Sequence, residues 1–172
     1  RYQPGSDRRC NPYSQLAVQH QDFHQESRLD SLETKASLGV SCPQFGNAGR
    51  QQLSVDLSRI NNFAANSDRL GGDRMGWQSN LNWQYSLQTA SLRAQFSHTN
   101  IADRKGYSPL LKEGAERSIK RSYLLLEYRR PVDLFGSSAN IMINIYHQRQ
   151  RANLELFRSK DTSAALGFGW LF

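Results

Sequence analysis

The sequence predicts an all-β fold, an antiparallel transmembrane β-barrel with about eight strands present. Three observations predict it. Apolar and polar residues alternate along eight segments. Short and long connections alternate between those segments. The last segment, Thr162–Phe172 (TSAALGFGWLF), is apolar at every second position: Ala164, Leu166, Phe168, Trp170 and Phe172. A period of two puts those side chains on one face of a strand and small residues such as Ser163, Ala165, Gly167 and Gly169 on the other.

The eight segments follow in order. The first is near Tyr13–Gln21, the second near Asp30–Cys42, the third near Gln51–Asn61 and the fourth near Met75–Leu87. The fifth is near Ala90–Asn100, the sixth near Ser118–Arg130, the seventh near Ala139–Gln150, and the eighth is Thr162–Phe172. The fourth is the clearest. Met75, Trp77, Leu81, Trp83, Tyr85 and Leu87 share one face, and Gln78, Asn80, Asn82, Gln84 and Ser86 share the other. The seventh separates Ile141, Ile143 and Ile145 from Asn140, Asn144 and Gln148.

A soluble sheet alternates too, with its polar face in bulk water. The connections decide between the two. Gln88–Thr89, Pro131–Ser138 and Pro43–Arg50 are short or modest. Asp22–Leu29, Asn62–Arg74, Ile101–Arg117 and Arg151–Asp161 are longer or more charged. Counted back from a periplasmic C-terminus, every long connection falls on the outer side, as in outer-membrane barrels. The aromatics fit this placement: Trp83, Tyr85, Trp170 and Phe172 near the periplasmic rim, Trp77 near the outer rim.

Composition is compatible with this fold. The 172 residues allow one domain, and the whole of 1–172 reads as a barrel domain. The chain starts at Arg1 without Met or a leader, and Arg1–Asn11 reads as the end of an earlier strand and a turn. The expectation is therefore a fragment, without its N-terminal periplasmic region and possibly without earlier strands. Mean hydropathy is −0.68, as expected if only alternate residues face lipid. The formal charge is +7, but the arginines form no run or helical stripe, which argues against nucleic acid and for an anionic lipid surface or cargo.

The polar face carries Lys35, Asp56, Arg93, Arg121, Glu127 and Arg129, read as the lining of a polar lumen. Lys35 is expected to face Asp56 across the second hairpin, and Arg93 to lie near Glu127 across a later one. Folding the first hairpin about Glu26 places Cys10 opposite Cys42, and a disulfide between them is expected in an oxidising compartment. Arg104, Lys105, Lys112, Arg117, Lys120 and Arg121 cluster around the longest connection, where they are placed to grip lipopolysaccharide phosphates.

The C-terminal strand resembles the assembly signal of bacterial outer-membrane β-barrels, with Gly167, Trp170 and Phe172 matching it; Ala165 stands where that family usually has a polar residue. The resemblance implies an outer-membrane location and the barrel assembly machinery as a partner. Gly106–Arg117 with Arg121–Val132, and Ala152–Gly169, resemble the closing strands of Gram-negative proteins that carry tetratricopeptide repeats ahead of a barrel. The surface lipoprotein assembly modifier family is one such group. That resemblance implies translocation or surface display of a macromolecular cargo, a lipoprotein or a polysaccharide. The alternative is a small structural or adhesin-type barrel that transports nothing.

A third reading is a lipid A-modifying enzyme centred on His98. Ser97 and Thr99 point to the opposite face and Asn100 stands two residues on, so the sequence supplies His98 with no nucleophile and no enzyme is expected. His20, His24 and His147 show no ligand spacing, and neither a metal nor a cofactor is expected.

Overall fold

The computed structural model describes residues 10–24, 26–46, 49–134 and 137–170. It contains eight antiparallel strands in one sheet: β1 (Asn11–Gln21), β2 (Ser31–Gly46), β3 (Gly49–Ala64), β4 (Arg74–Ser86), β5 (Ser91–Gly106), β6 (Glu116–Leu134), β7 (Ser137–Ala152) and β8 (Ser159–Trp170). Each strand pairs with its sequence neighbours in the order β1 to β8. Among the described residues β1 pairs only with β2 and β8 only with β7, so hydrogen bonds do not close the sheet on itself. Among the described residues no helix is long and apolar enough to cross a membrane. Phe172 and residues 1–9 lie outside the described residues, and Trp170 is described only as a strand position.

The connections at 22–30, 65–73, 107–115 and 153–158 gather at one end of the sheet, the long-loop end. The connection at 87–90, the C-terminal end of β2 with the start of β3, and the C-terminal end of β6 with the start of β7 lie at the other, the tight-turn end. The strands outrun their alternating segments: β5 continues to Gly106 and β6 to Leu134. In β5 period-two patterning stops at Asp103–Lys105, where both faces become polar, and in β6 Arg130 and Pro131 interrupt it, whereas backbone pairing does not require it. Three strand prolines sit where the ladder has one neighbour. Pro12 is on the edge strand β1. Pro43 lies beyond Ser41, where β1 has ended, and Pro131 beyond Arg129, where β5 has not begun. A missing N–H costs least there.

The two faces are inverted relative to a soluble sheet. One carries apolar side chains that stand exposed, such as Leu38 at 70% and Leu166 at 62%. The other carries polar side chains that are buried, with Ser31 and Ser58 at 0%. A polar group sheds water only where it gains partners. Register supplies them in cross-strand rows. One row runs Tyr13, Gly39, Asp56, Asn80, Ser97, Tyr123, Gln148 and Asp161 from β1 to β8. Tyr13 donates to Asp56 Oδ2 (3.3 Å) and Lys35 Nζ to Gln78 Oε1 (2.9 Å); each bond passes over the strand between. Both reaches lie on the polar side, termed the inner face.

Candidate functional site

All six charged residues expected to line a lumen lie on the inner face, because each pairs in register with others of that face. The face does not gather them into one site. Arg93 and Glu127 are directly opposite, with Nη1 and Oε2 3.3 Å apart, and with Arg129, Gln84 and Ser91 they line a cleft of about 170 Å³. Arg121 donates from Nε and Nη2 to Gln150 Oε1 (2.9 and 2.7 Å), and Gln150 donates on to the Phe157 carbonyl (2.6 Å).

Lys35 and Asp56 do not face each other. Lys35 pairs with Ile60, and Asp56 with Gly39. The turn between β2 and β3 is centred further along than the sequence suggests, so the register moves by four residues. An even shift keeps the face and changes the partner. Asp56 instead accepts from Asn80 Nδ2 (2.7 Å) and Ser58 Oγ (3.3 Å), while Ser58 shares a hydrogen bond with Ser37 (2.9 Å). These bonds leave the Asp56 carboxylate a structural acceptor.

The densest ionic cluster is one the sequence did not reveal. Asp103, near the end of β5, is 4% exposed and meets two guanidinium groups. Arg117 Nε lies 3.0 Å from Oδ2 and its Nη2 donates to Oδ1 (3.1 Å); Arg74 Nε is 3.3 Å from Oδ1. The Nε contacts are ion pairs without hydrogen-bond alignment. Buried Arg69 donates to Asn62 Oδ1 (2.6 Å) beside them. Its burial lowers its pKa from the ordinary arginine value, an effect opposed by Asp103 and reinforced by Arg117. Arg117 also lies 4.5 Å from the ring centroids of both Tyr107 and Phe157, which meet edge to face. Gly71 has positive φ, and a Cβ there would overlap the Asp103 carboxylate.

This cluster is the keystone of a cap. Asn66 Nδ2 donates to the Ser27 carbonyl (2.6 Å), Lys105 N to Gly71 O (3.1 Å), and Lys112 Nζ to the Asn153 carbonyl (2.8 Å). The 22–30 and 65–73 connections are thereby joined, as are 107–115 and 153–158, and Lys105 ties 65–73 to the end of β5 that leads into 107–115. Beneath them a row of small and apolar residues crosses the inner face: Ala17, Ile60, Gly76, Ile101, Ile119 and Ala152, with Lys35 the one charge. The six basic residues read as one loop patch are therefore divided. Arg117 and Arg121 point inward, Lys112 binds a backbone carbonyl, and Lys120 stands on the outer face.

On the outer face His98 does meet a hydroxyl. Its Nδ1 is 3.0 Å from Ser122 Oγ, its direct cross-strand partner. The sequence did not show this because the two residues belong to different strands. His147 and Thr162 repeat the arrangement at 2.8 Å. The outer positions of β5–β8 carry one carboxylate, Glu116, at the first residue of β6. No acid lies next to His98 in its row to orient the ring, and two such pairs on one face read as cross-strand hydrogen bonds. Among the described residues no group of His, Cys, Asp and Glu has metal-site geometry.

Cys10 and Cys42 form a disulfide, one position beyond the last β1–β2 ladder pair, Asn11 with Ser41. Gly167 lies opposite Met142 at the tight-turn end. No family model, no curated protein and no solved structure matches the chain.

Proposed function

We propose that this sheet is part of a transmembrane β-barrel of a Gram-negative outer membrane, and that its inner face lines a polar path for the translocation or surface display of a macromolecular cargo. The inversion of the two faces carries this reading. Eight adjacent strands expose Leu, Val, Ile, Phe and Trp on one side and hold hydrogen-bonded polar groups on the other. Exposure of that much contiguous apolar surface is stable only against lipid or a partner. Arg93, Arg121 and Arg129 lower the electrostatic cost for an acidic or polar cargo moving along the inner face. The resemblance of the closing strands to repeat-plus-barrel proteins supports a lipoprotein or polysaccharide as that cargo, and the C-terminal motif supports delivery by the barrel assembly machinery.

The second reading is a barrel that transports nothing, and the Asp103 cap favours it. Buried Asp103 and Arg117 stand above a row that holds Ile60, Ile101 and Ile119, an arrangement that in a closed barrel would obstruct a water path. Conductance separates the two. The protein in its natural length, reconstituted in planar bilayers, is expected to conduct, and the conductance should change in R93Q/R121Q/R129Q. A folded, inserted protein that conducts nothing would move the structural reading to first place.

A further inference from the structure

The outer face of β6–β8 carries a concentration of positive charge that the inner-face reading does not use. In register, Lys120 of β6 stands opposite Arg151 of β7, and Arg149 of β7 opposite Lys160 of β8. All four are exposed. Like charges directly opposite each other destabilise a sheet unless something between them compensates. None of the four makes a side-chain hydrogen bond or ion pair within the described residues.

Their setting points to the ligand. Ser122, which shares a hydrogen bond with His98, completes the Arg149–Lys160 row as a neutral hydroxyl. Directly below lie Leu124 and Leu126 of β6, Ile143 and Ile145 of β7, and Ala164, Leu166 and Phe168 of β8, all on the same face. From the Arg149–Lys160 row to the Arg130–Phe168 row is eight residues of strand, about 26 Å at ~3.3 Å per residue. Tilted by about 35–45°, as barrel strands are, this rises about 18–21 Å along the membrane normal, most of the apolar band of about 25 Å of a membrane barrel. The cations therefore stand where headgroups would meet that band, at the long-loop end.

We infer that Lys120, Arg149, Arg151 and Lys160 form a binding site for the phosphorylated headgroup of a membrane lipid, whose acyl chains lie along the leucines and isoleucines beneath. Phosphate supplies the charge that both opposed pairs lack, and the guanidinium groups bind it in a planar fork. This rests on the reading that the apolar face meets lipid.

The test uses the full chain in phosphatidylcholine vesicles doped with diphosphoryl lipid A or with its dephosphorylated form. Quenching of Trp77 and Trp83 by brominated phosphatidylcholine reads contact of the outer face with lipid. Lipid retained through detergent extraction, quantified by mass spectrometry, reads the site. Diphosphoryl lipid A should be retained in preference to the dephosphorylated form. Apparent affinity should fall about a thousandfold in K120Q/R149Q/R151Q/K160Q and about thirtyfold in R149Q/K160Q, at roughly one kcal/mol per cation. The double variant keeps the test valid if the quadruple fails to fold. Tryptophan quenching with equal retention of the two lipids, or with retention unchanged in the variants, overturns the site alone. Absence of quenching overturns the lipid-facing reading, and the site with it.

Discussion

Tyr13 lies across Gly39. The two are cross-strand partners in β1 and β2, and a Cβ on Gly39 would come within 2.5 Å of Tyr13 Cζ and 2.8 Å of Asp56 Cβ. The ring fills the space the glycine leaves, and its hydroxyl reaches Asp56 on the strand beyond. Such aromatic cover of a strand glycine pins register where the chain is otherwise weakest.

Gly39→Ala is therefore expected to displace the ring and destabilise the sheet by about 1–3 kcal/mol. With Tyr13→Ala already in place, the same substitution should cost much less. A double-mutant cycle on urea unfolding midpoints checks the coupling. Additive effects would mean that Tyr13 does not occupy this position in solution.

Asp103→Ala leaves Arg117 buried and Arg74 half-buried, both without the carboxylate they share. Breaking a buried ion pair from one side costs about 3–5 kcal/mol. The loss should be concentrated at the long-loop end. Amides of Lys105 and Tyr107, which donate to Gly71 O and Ala115 O, should exchange far faster while those of β7 hold. Unchanged exchange at these two amides would show that the cap does not depend on Asp103.

Much of this was legible in the sequence, for identifiable reasons. The two faces of β4 follow from alternation alone. The Cys10–Cys42 pairing follows from the same period and one hairpin centre, Glu26. The Asp103 cluster did not follow. Arg69, Arg74, Asp103 and Arg117 lie at strand ends and in a connection where no period operates, and the arrangement of loops brings them together. Lys35 and Asp56 show an intermediate case: their face was readable because it depends only on parity, and their partners were not because those depend on where the turn falls.

The Arg93–Glu127 pair is expected to matter for charge and hardly at all for stability. Its side chains are 51% and 27% exposed, so the pair contributes at most about 1 kcal/mol. Glu127→Gln should leave the unfolding midpoint nearly unchanged. If the inner face conducts ions, the variant should shift selectivity toward anions, because Arg93 and Arg129 then act uncompensated. Reversal potentials under a salt gradient measure this. An unshifted potential would place the cleft off the ion path.

Reduction of Cys10–Cys42 should release the edge strand. The bond closes a loop of sequence separation 32, for which chain entropy predicts about 3–4 kcal/mol. Cys10→Ser/Cys42→Ser should lower the urea midpoint and raise proteolysis within β1. Equal midpoints for the oxidised and reduced protein would show that β1 is held by its ladder alone.

The two-facedness of the sheet also determines which length changes the gene tolerates. Loss of Asn80 alone would turn Leu81, Trp83 and Tyr85 inward and send Asn82 and Gln84 outward, because each later position in β4 changes sides. Removal of two adjacent residues would spare the faces and only shorten the strand. Within strands, viable insertions and deletions should therefore come in even numbers. At 22–30 and 153–158, where no face has to be kept, lengths of either parity are equally acceptable.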